Sequence, residues 1–475
     1  MSEKISVVPL RKIIASNSGF INVLLHEAVP VVCLNKATGK NRSMHFKALY
    51  DNNNRFWLEN GSWEYFLTGE VFANLSTSWE AARLSARGPD EGAAAPESSG
   101  GAGPETEGEP ALPGFGKEYE AILAMPPVER VKSMNAATKG LDELAAHKPR
   151  EAEVVTSALV VASRDAALIN RATLLGAMQL ADEEAKKHTQ SLVSSTQELV
   201  RSTSQLVTAS IFNDELMNTL VAKSNGTVIQ HMTRVFLNGL AFLAYYNALV
   251  STSSIINKLR LSFEKKYRDF YRVLLPHVNA EALTLERVFC KGMRAIPEDD
   301  FVSWATGFLI HDIGKAAAVE YHEGESEYKR DVVVEHVKVG YTSVMTKTNY
   351  PRDAALITGY HHEYYGDPGG YGYFRAYLGR YKKINPNARQ DFCITYELEP
   401  MLDYHALAYF PAKVLEIIDV YDSVTDPNRK YRKAMTPEEA LAMMREEFIE
   451  KHHKIDIILF DIFSSFVREQ LEARS

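Results

Sequence analysis

The sequence predicts an α+β protein built from a small strand-rich domain, a flexible linker and a much larger helical part. Three observations predict it. Residues 1–82 are rich in β-branched and aromatic side chains with turn signals between them. Residues 88–116 are almost bare of large apolar side chains, and from 117 onward apolar residues recur at helical spacing. At 475 residues the chain is long enough for two or three folded units.

In the first segment, Asn35-Lys-Ala-Thr-Gly39 and Asp51-Asn52-Asn53-Asn54 read as hairpin turns between strands. No phosphoacceptor pattern or cofactor motif is legible there, and its role, regulatory or other, is open. Residues 83–116, dominated by Gly, Pro, Ala, Ser and Glu, cannot bury enough apolar surface to offset their ordering entropy, so they read as a linker. Residues 117–212 read as a helical connecting region. Within it Lys186–Ser210, rich in Ser, Thr and Gln with spaced Leu and Val, predicts a long connecting helix or one that pairs two copies of the chain. Residues 213–475 carry the candidate chemistry.

Composition narrows the function. A net charge of -8 argues against bulk binding to nucleic acid or an anionic membrane, while leaving room for a small anion held by local cations or metals. Cys33, Cys290 and Cys393 form neither a zinc pattern nor a disulfide framework, which favours a reducing compartment. Met1–Ile14 lacks the apolar core of a signal peptide. Val235–Val250, the most lipid-like stretch, is too short for a span and carries Asn238 and Asn247, so it reads as a buried core helix. A cytoplasmic protein without a membrane span is the expectation.

Five pieces stand out. They are His231; His311-Asp312-Ile-Gly-Lys315; His336 in Glu-His-Val-Lys-Val-Gly340; His361-His362-Glu363; and Asp419 in Ile-Ile-Asp-Val-Tyr-Asp422. A metal cluster that activates water near neutral pH needs neutral imidazoles and carboxylates, one of them able to bridge. Adjacent helical residues differ by about 100° in direction, so His361 and His362 can supply two ligands if their helix end abuts the site. By the same geometry His311 can serve one metal while Asp312 reaches between two. The pair follows the apolar run Phe301–Ile310, which places it at a helix end. Asp419 sits in the apolar run Val414–Val420, where a carboxylate must be paired or ligate a metal. Alone, each histidine reads as an ordinary surface or hydrogen-bonded residue; His452-His453, in a charged run, is one such pair. Together and in this order the pieces point to a mixed nitrogen and oxygen site suited to iron, manganese, cobalt or zinc.

These motifs resemble the HD-GYP family of HD-superfamily phosphohydrolases over about residues 213–475. The most specific match is the stretch from Asp419-Val-Tyr-Asp through Arg429-Lys-Tyr431-Arg432 to Leu441. The resemblance implies an all-α HD-type catalytic domain around two divalent ions, iron or manganese. It implies that His231, His311, Asp312 and Asp419 hold one ion, and that Asp312, His336, His361 and His362 hold the other, with Asp312 bridging. Some members take a third metal through a carboxylate one turn before the first histidine; Thr227 stands there, which implies a two-metal site. Lys315, Arg429 and Arg432 match positions that contact substrate phosphates, and Tyr371 belongs to the loop at the site. The implied activity is hydrolysis of cyclic di-GMP to linear pGpG, and on to GMP, by attack of a metal-bridging hydroxide, with Asp312 and Lys315 as the catalytic pair. A diguanylate cyclase partner and a homodimer through the connecting helices belong to the same expectation.

The chain departs from the family pattern in two ways. Its loop reads His361-His-Glu-Tyr-Tyr-Gly-Asp367-Pro-Gly-Gly370-Tyr371-Gly372-Tyr373, with one residue inserted and Gly372 where the family has proline. His231 lies 80 residues before His311, and the stretch 375–409 is long, so about 250–297 and 375–409 read as insertions that reshape the site or stand as surface hairpins. Two other readings stay open: an HD phosphohydrolase for another nucleotide or cyclic dinucleotide, and a non-catalytic cyclic di-GMP receptor or scaffold.

Overall fold

The computed structural model describes residues 7–9, 29–36, 41–46, 63–68, 71, 119–147, 152–209, 228–252, 254–317, 330–427 and 433–472. The turn expected at 51–54, the linker at 83–116, Thr227, Arg429 and Arg432 lie outside the described residues. By its internal contacts the chain divides into two units, 1–107 and 108–475.

In the first unit, β1 (Val7–Pro9), β2 (Pro30–Asn35), β3 (Asn41–His45) and β4 (Trp63–Thr68) form an antiparallel sheet in the order β1-β4-β2-β3. Val32 pairs with Ser43 on one side and Phe66 on the other. Val31 and Cys33 are buried while Pro30 is exposed, the alternation of a strand with one covered face. Of the turn expected at Asn35–Gly39, residues 37–39 lie outside the described residues.

The second unit is helical: α1 (Tyr119–Ala124), α2 (Pro127–His147), α3 (Ala152–Ala177), α4 (Asp182–Ala209), α5 (Val228–Ser251), α6 (Ser254–Lys266), α7 (Arg268–Leu274), α8 (Leu285–Val288), α9 (Glu298–Ile310), α10 (Ile313–Ala317), α11 (Arg330–Lys347), α12 (Arg352–Tyr360) and α13 (Arg375–Ile384). Then come β5 (Phe392–Thr395), α14 (Leu398–Leu402), β6 (Ala406–Tyr409), α15 (Phe410–Thr425), α16 (Pro437–Arg445) and α17 (Ile457–Glu472). Local signals set several starts. Asp182-Glu183-Glu184 and Glu298-Asp299-Asp300 place acids at the positive ends of α4 and α9. Thr436 and Glu439 form a capping box on α16.

One hydrophobic core runs from Ile122 to Val467. The helices expected as a connecting region share it. α3 buries Val155, Leu159, Ala162, Ala166 and Ile169, and it is covered around most of its circumference, as a largely apolar helix must be. α4 docks on the end of α11: Thr189 Oγ1 donates to the Lys347 carbonyl at 2.9 Å, and Tyr350 donates to Thr196 Oγ1 at 2.9 Å. α5, which contains Val235–Val250, is buried along most of its length. No single helix among the described residues is long and apolar enough to cross a membrane.

The expectation of purely helical structure in 213–475 needs correction. β5 and β6 pair in parallel, Phe392 with Ala406 and Ile394 with Ala408, and Phe289 bridges to Ile394. Phe392-Cys-Ile-Thr and Ala406-Leu-Ala-Tyr are short apolar runs, a form that suits strands buried on both faces. The two stretches marked as insertions meet there. Lys291 and Arg294 ion-pair with Glu397, and Tyr246 and Tyr396 hydrogen-bond at 2.5 Å beneath them.

Candidate metal centre

Five helices and the turn before α10 deliver the candidate ligands. His231 lies in the first turns of α5, His311 caps the C-terminus of α9, and Asp312 stands in the turn before α10. His336 is on α11, His361 caps α12 with His362 beside it, and Asp419 is on α15. All seven are buried. Gly314 explains how two of the elements come so close. A Cβ there would stand 1.9 Å from the His336 carbonyl oxygen and 2.7 Å from the Gly340 nitrogen, so α10 and α11 touch backbone to backbone. That contact brings His336 Nε2 to 3.1 Å from Asp312 Oδ1.

The carboxylate of Asp312 divides the histidines between its two oxygens. Oδ1 faces His336 Nε2 and, at 3.9 Å, His361 Nε2. Oδ2 faces His231 Nε2 at 3.4 Å, His311 Nε2 at 3.6 Å, and the Lys315 ammonium, which donates to it. His231, His311 and Asp419 form one group whose ligand atoms lie within 4.8 Å of one another, and His336, His361 and His362 form another. His311, Asp312 and His361 form a third such group that joins them. His231 Nε2 is 2.9 Å from Asp419 Oδ1, and His362 Nε2 is 3.7 Å from Asp419 Oδ2. These buried His and Asp groups can hold a metal ion.

The ring orientations suit that task. His311 Nδ1 donates to the Phe308 carbonyl at 2.8 Å and His361 Nδ1 to the Thr358 carbonyl at 2.9 Å. Each neutral ring therefore turns its Nε2 lone pair into the cluster. Among the described residues, His311 Nε2 is one of the buried side-chain atoms without a protein hydrogen bond. Such atoms are costly unless something else satisfies them, and a divalent cation does.

A supporting layer fixes the first group. Asp422 Oδ2 accepts from His231 Nδ1 at 2.7 Å and from Arg234 Nη2 at 2.9 Å, while its Oδ1 accepts from Arg234 Nε at 2.7 Å. Arg234 also donates to Asp426 at 2.7 Å. Arg234 and Asp422 lie one helical turn on from His231 and from Asp419, and that spacing is the sequence signal that marks them as partners of the ligands.

The electrostatics keep His311, His361, His362 and both carboxylates in binding form. Burial, with His311 and His336 nearby, pushes the His361 imidazole down to about 3. Burial and His361 hold His362 well below the ordinary histidine range, and burial lowers His311. Burial alone would raise Asp312, but the Lys315 ammonium and the rings of His311 and His336 hold it well below the carboxylate range. Asp419 is likewise depressed against its burial by the hydrogen bond from His231. His231 runs the other way: burial opposes its charge, yet Asp419 and Asp422 raise it. Neutral imidazoles beside two ionised carboxylates are the state a divalent metal needs.

Of the residues expected at the substrate, Lys315 is at the cluster and Tyr371 packs near it, its ring tilted by 33° and its centroid 4.3 Å from that of His362. Arg429 and Arg432 are outside the described residues. Glycine at 372 has a local cause: a Cβ there would stand 2.4 Å from the Glu363 carboxyl. Glu363 Oε1 accepts the backbone N–H groups of Phe374 at 2.7 Å and Arg375 at 3.1 Å, so it ties the loop shut behind His362. Burial pushes this carboxyl up to about 8. His277, the other histidine between 231 and 311, is exposed and bonds the Gln390 carbonyl, far from a ligand role.

Comparison with protein-family models, with curated proteins and with solved structures finds no match to this chain.

Proposed function

We propose that the chain is a metal-dependent phosphodiesterase of the HD-GYP type, acting on cyclic di-GMP with two iron or manganese ions. The observation that carries this reading is the division of Asp312, whose two oxygens face two separate histidine groups, the arrangement a bridging carboxylate requires. The order and spacing of the motifs favour that family, and the lowered imidazoles of His311, His361 and His362 beside ionised carboxylates favour metal binding.

When bound, two divalent ions would supply Lewis acidity toward a phosphoryl oxygen and a water nucleophile active at neutral pH. His231, His311, Asp312 and Asp419 would hold one, and Asp312, His336, His361 and His362 the other. Lys315 is half-covered at the rim of the cluster, bonded to Asp312 Oδ2, and offers a fixed positive charge to a phosphate arriving there. Tyr371, packed beside His362, offers an aromatic ring to a purine base. The buried setting keeps bulk water from competing with these contacts.

The test is to load the protein anaerobically with iron or manganese, incubate it with cyclic di-GMP and separate the products, measuring metal on the same sample. The expected result is linear dinucleotide or GMP from the parent protein, about two metals per chain, and neither from Asp312→Ala. Intact cyclic di-GMP with both metals bound would move the reading to another nucleotide or to a receptor. No metal and no turnover would overturn it.

A further inference from the structure

We propose that Lys413 and Glu416 are positioning residues for His362, holding the turn that follows it in a backbone shape it would otherwise abandon. The inference rests on the metal-site reading above and extends it to residues that touch no candidate ligand atom.

The turn is strained. Tyr364 (φ 48°) and Tyr365 (φ 51°), followed by Gly366 (φ 84°), are three successive residues in the left-handed region. Glycine adopts that shape freely; each tyrosine there costs on the order of 1–3 kcal/mol and persists only where its surroundings over-determine it.

The surroundings do so through one buried network. Glu416 Oε1 accepts the Tyr364 backbone N–H at 3.0 Å, while its Oε2 accepts from Lys413 Nζ at 2.5 Å. Lys413 Nζ also donates to the Lys454 carbonyl at 2.7 Å and lies 3.7 Å from the centroid of the Tyr365 ring. The Tyr365 hydroxyl donates to Asp456 Oδ2 at 2.9 Å, and Tyr271 donates to the same oxygen at 2.8 Å. Asp456 Oδ1 accepts the N–H groups of Ile458 and Leu459, which anchors the carboxylate to the start of α17.

Two further observations give the network a purpose beyond stability. A buried ion pair is commonly no more stabilising than an apolar pair of equal volume, so stability alone is a poor reason for Lys413 and Glu416, both fully buried, to face each other. Glu416 also lies one helical turn before Asp419 on α15. A single rigid helix therefore carries both the ligand Asp419 and the acceptor that locks the turn after His362, whose Nε2 stands 3.7 Å from Asp419 Oδ2. The far side of the turn returns to the same residue, since the His362 carbonyl accepts from Tyr371 N at 2.9 Å and Gly372 N at 3.0 Å. Loosening Tyr364 frees His362 to rotate out of its place.

The test compares two double variants loaded with cobalt(II), whose visible absorption reports ligand number. Lys413→Met/Glu416→Leu replaces the pair by apolar side chains and removes the acceptor for Tyr364. Lys413→Met/Glu416→Gln removes the charge but keeps a carbonyl acceptor. We expect the Met/Leu protein to fold and to melt cooperatively when metal-free, yet to bind one cobalt ion about tenfold or more weakly with an altered spectrum. The Met/Gln protein is expected to keep the parent's affinity and spectrum. Parent-like binding of both ions by the Met/Leu protein overturns the proposal, and so does equal damage in both variants. If the Met/Leu protein does not fold, Lys413→Met/Glu416→Met, apolar and equally without an acceptor for Tyr364, replaces it: weakened binding of the same ion supports the proposal and unchanged binding overturns it. A parent protein that binds no cobalt would instead sink the metal-site reading itself.

Discussion

Asp422 receives the Nδ1 proton of His231 across 2.7 Å, so one buried carboxylate sets the tautomer of a candidate ligand carried on a different helix. Outer partners of this kind raise ligand basicity and fix ring direction. Asp422→Asn keeps the shape and an acceptor oxygen but removes the charge. Metal affinity is expected to fall about 10–100-fold, measured by chelator competition, with the far-UV circular dichroism unchanged. Full affinity in the variant would remove Asp422 from the site.

Arg234 engages Asp422 and Asp426 together, with all three side chains buried. Arg234→Met removes the shared guanidinium and leaves the carboxylates facing an apolar group. Loss of one partner from a buried charge pair costs about 3–5 kcal/mol, which urea unfolding of the metal-free protein should register. A loss below about 1 kcal/mol would place the arginine among weak surface-type pairs.

At Gly314 an added methyl meets backbone, the His336 carbonyl oxygen at 1.9 Å, and no rotamer change can relieve it. In Gly314→Ala, α10 and α11 must part, which costs about 3 kcal/mol or more and separates Asp312 from His336. Both stability and metal stoichiometry should drop. A variant that binds metal as the parent does would show that the helix crossing is not what places Asp312 beside His336.

Glu416 gives a pH dependence whose sign is fixed. Burial pushes its carboxyl from an ordinary 4.5 up to about 7, against the pull of Lys413. Between those values the folded chain keeps a proton that the unfolded chain has released. The contribution to stability is therefore greatest at low pH and declines as pH rises to about 7, by at most ~1.4 kcal/mol per pH unit, then levels off. Relative to the parent, Lys413→Met/Glu416→Leu should gain stability between pH 5 and pH 7, read from urea midpoints of metal-free protein. A difference that stays constant across that window contradicts the shifted carboxyl.

Much of the site was legible because its signals are local. His311-Asp312 follows an apolar run that had to be a helix, and His361-His362 follows another, so both pairs fall at helix ends. Asp419 within Val414–Val420 declared a buried charge in need of a partner. The strands of the first unit followed from composition and turn residues. The parallel pairing of β5 with β6 did not, because four-residue apolar runs carry no period that separates strand from helix. The packing of α3 and α4 into the main core was also hidden. Their apolar faces were readable, but what covers such a face is not written in the face itself.

By itself, then, the sequence determined which side chains are available for chemistry, which helix ends present them, and that several charges are buried. The tertiary structure alone decided which partner each charge has. Arg234 and Asp422 lie 188 residues apart, and Glu416 meets the Tyr364 backbone 52 residues away. The left-handed turn at Tyr364 and Tyr365 belongs to that second class. Local preference opposes it at both residues, and it exists because contacts from α15, α7 and the start of α17 together outweigh the preference.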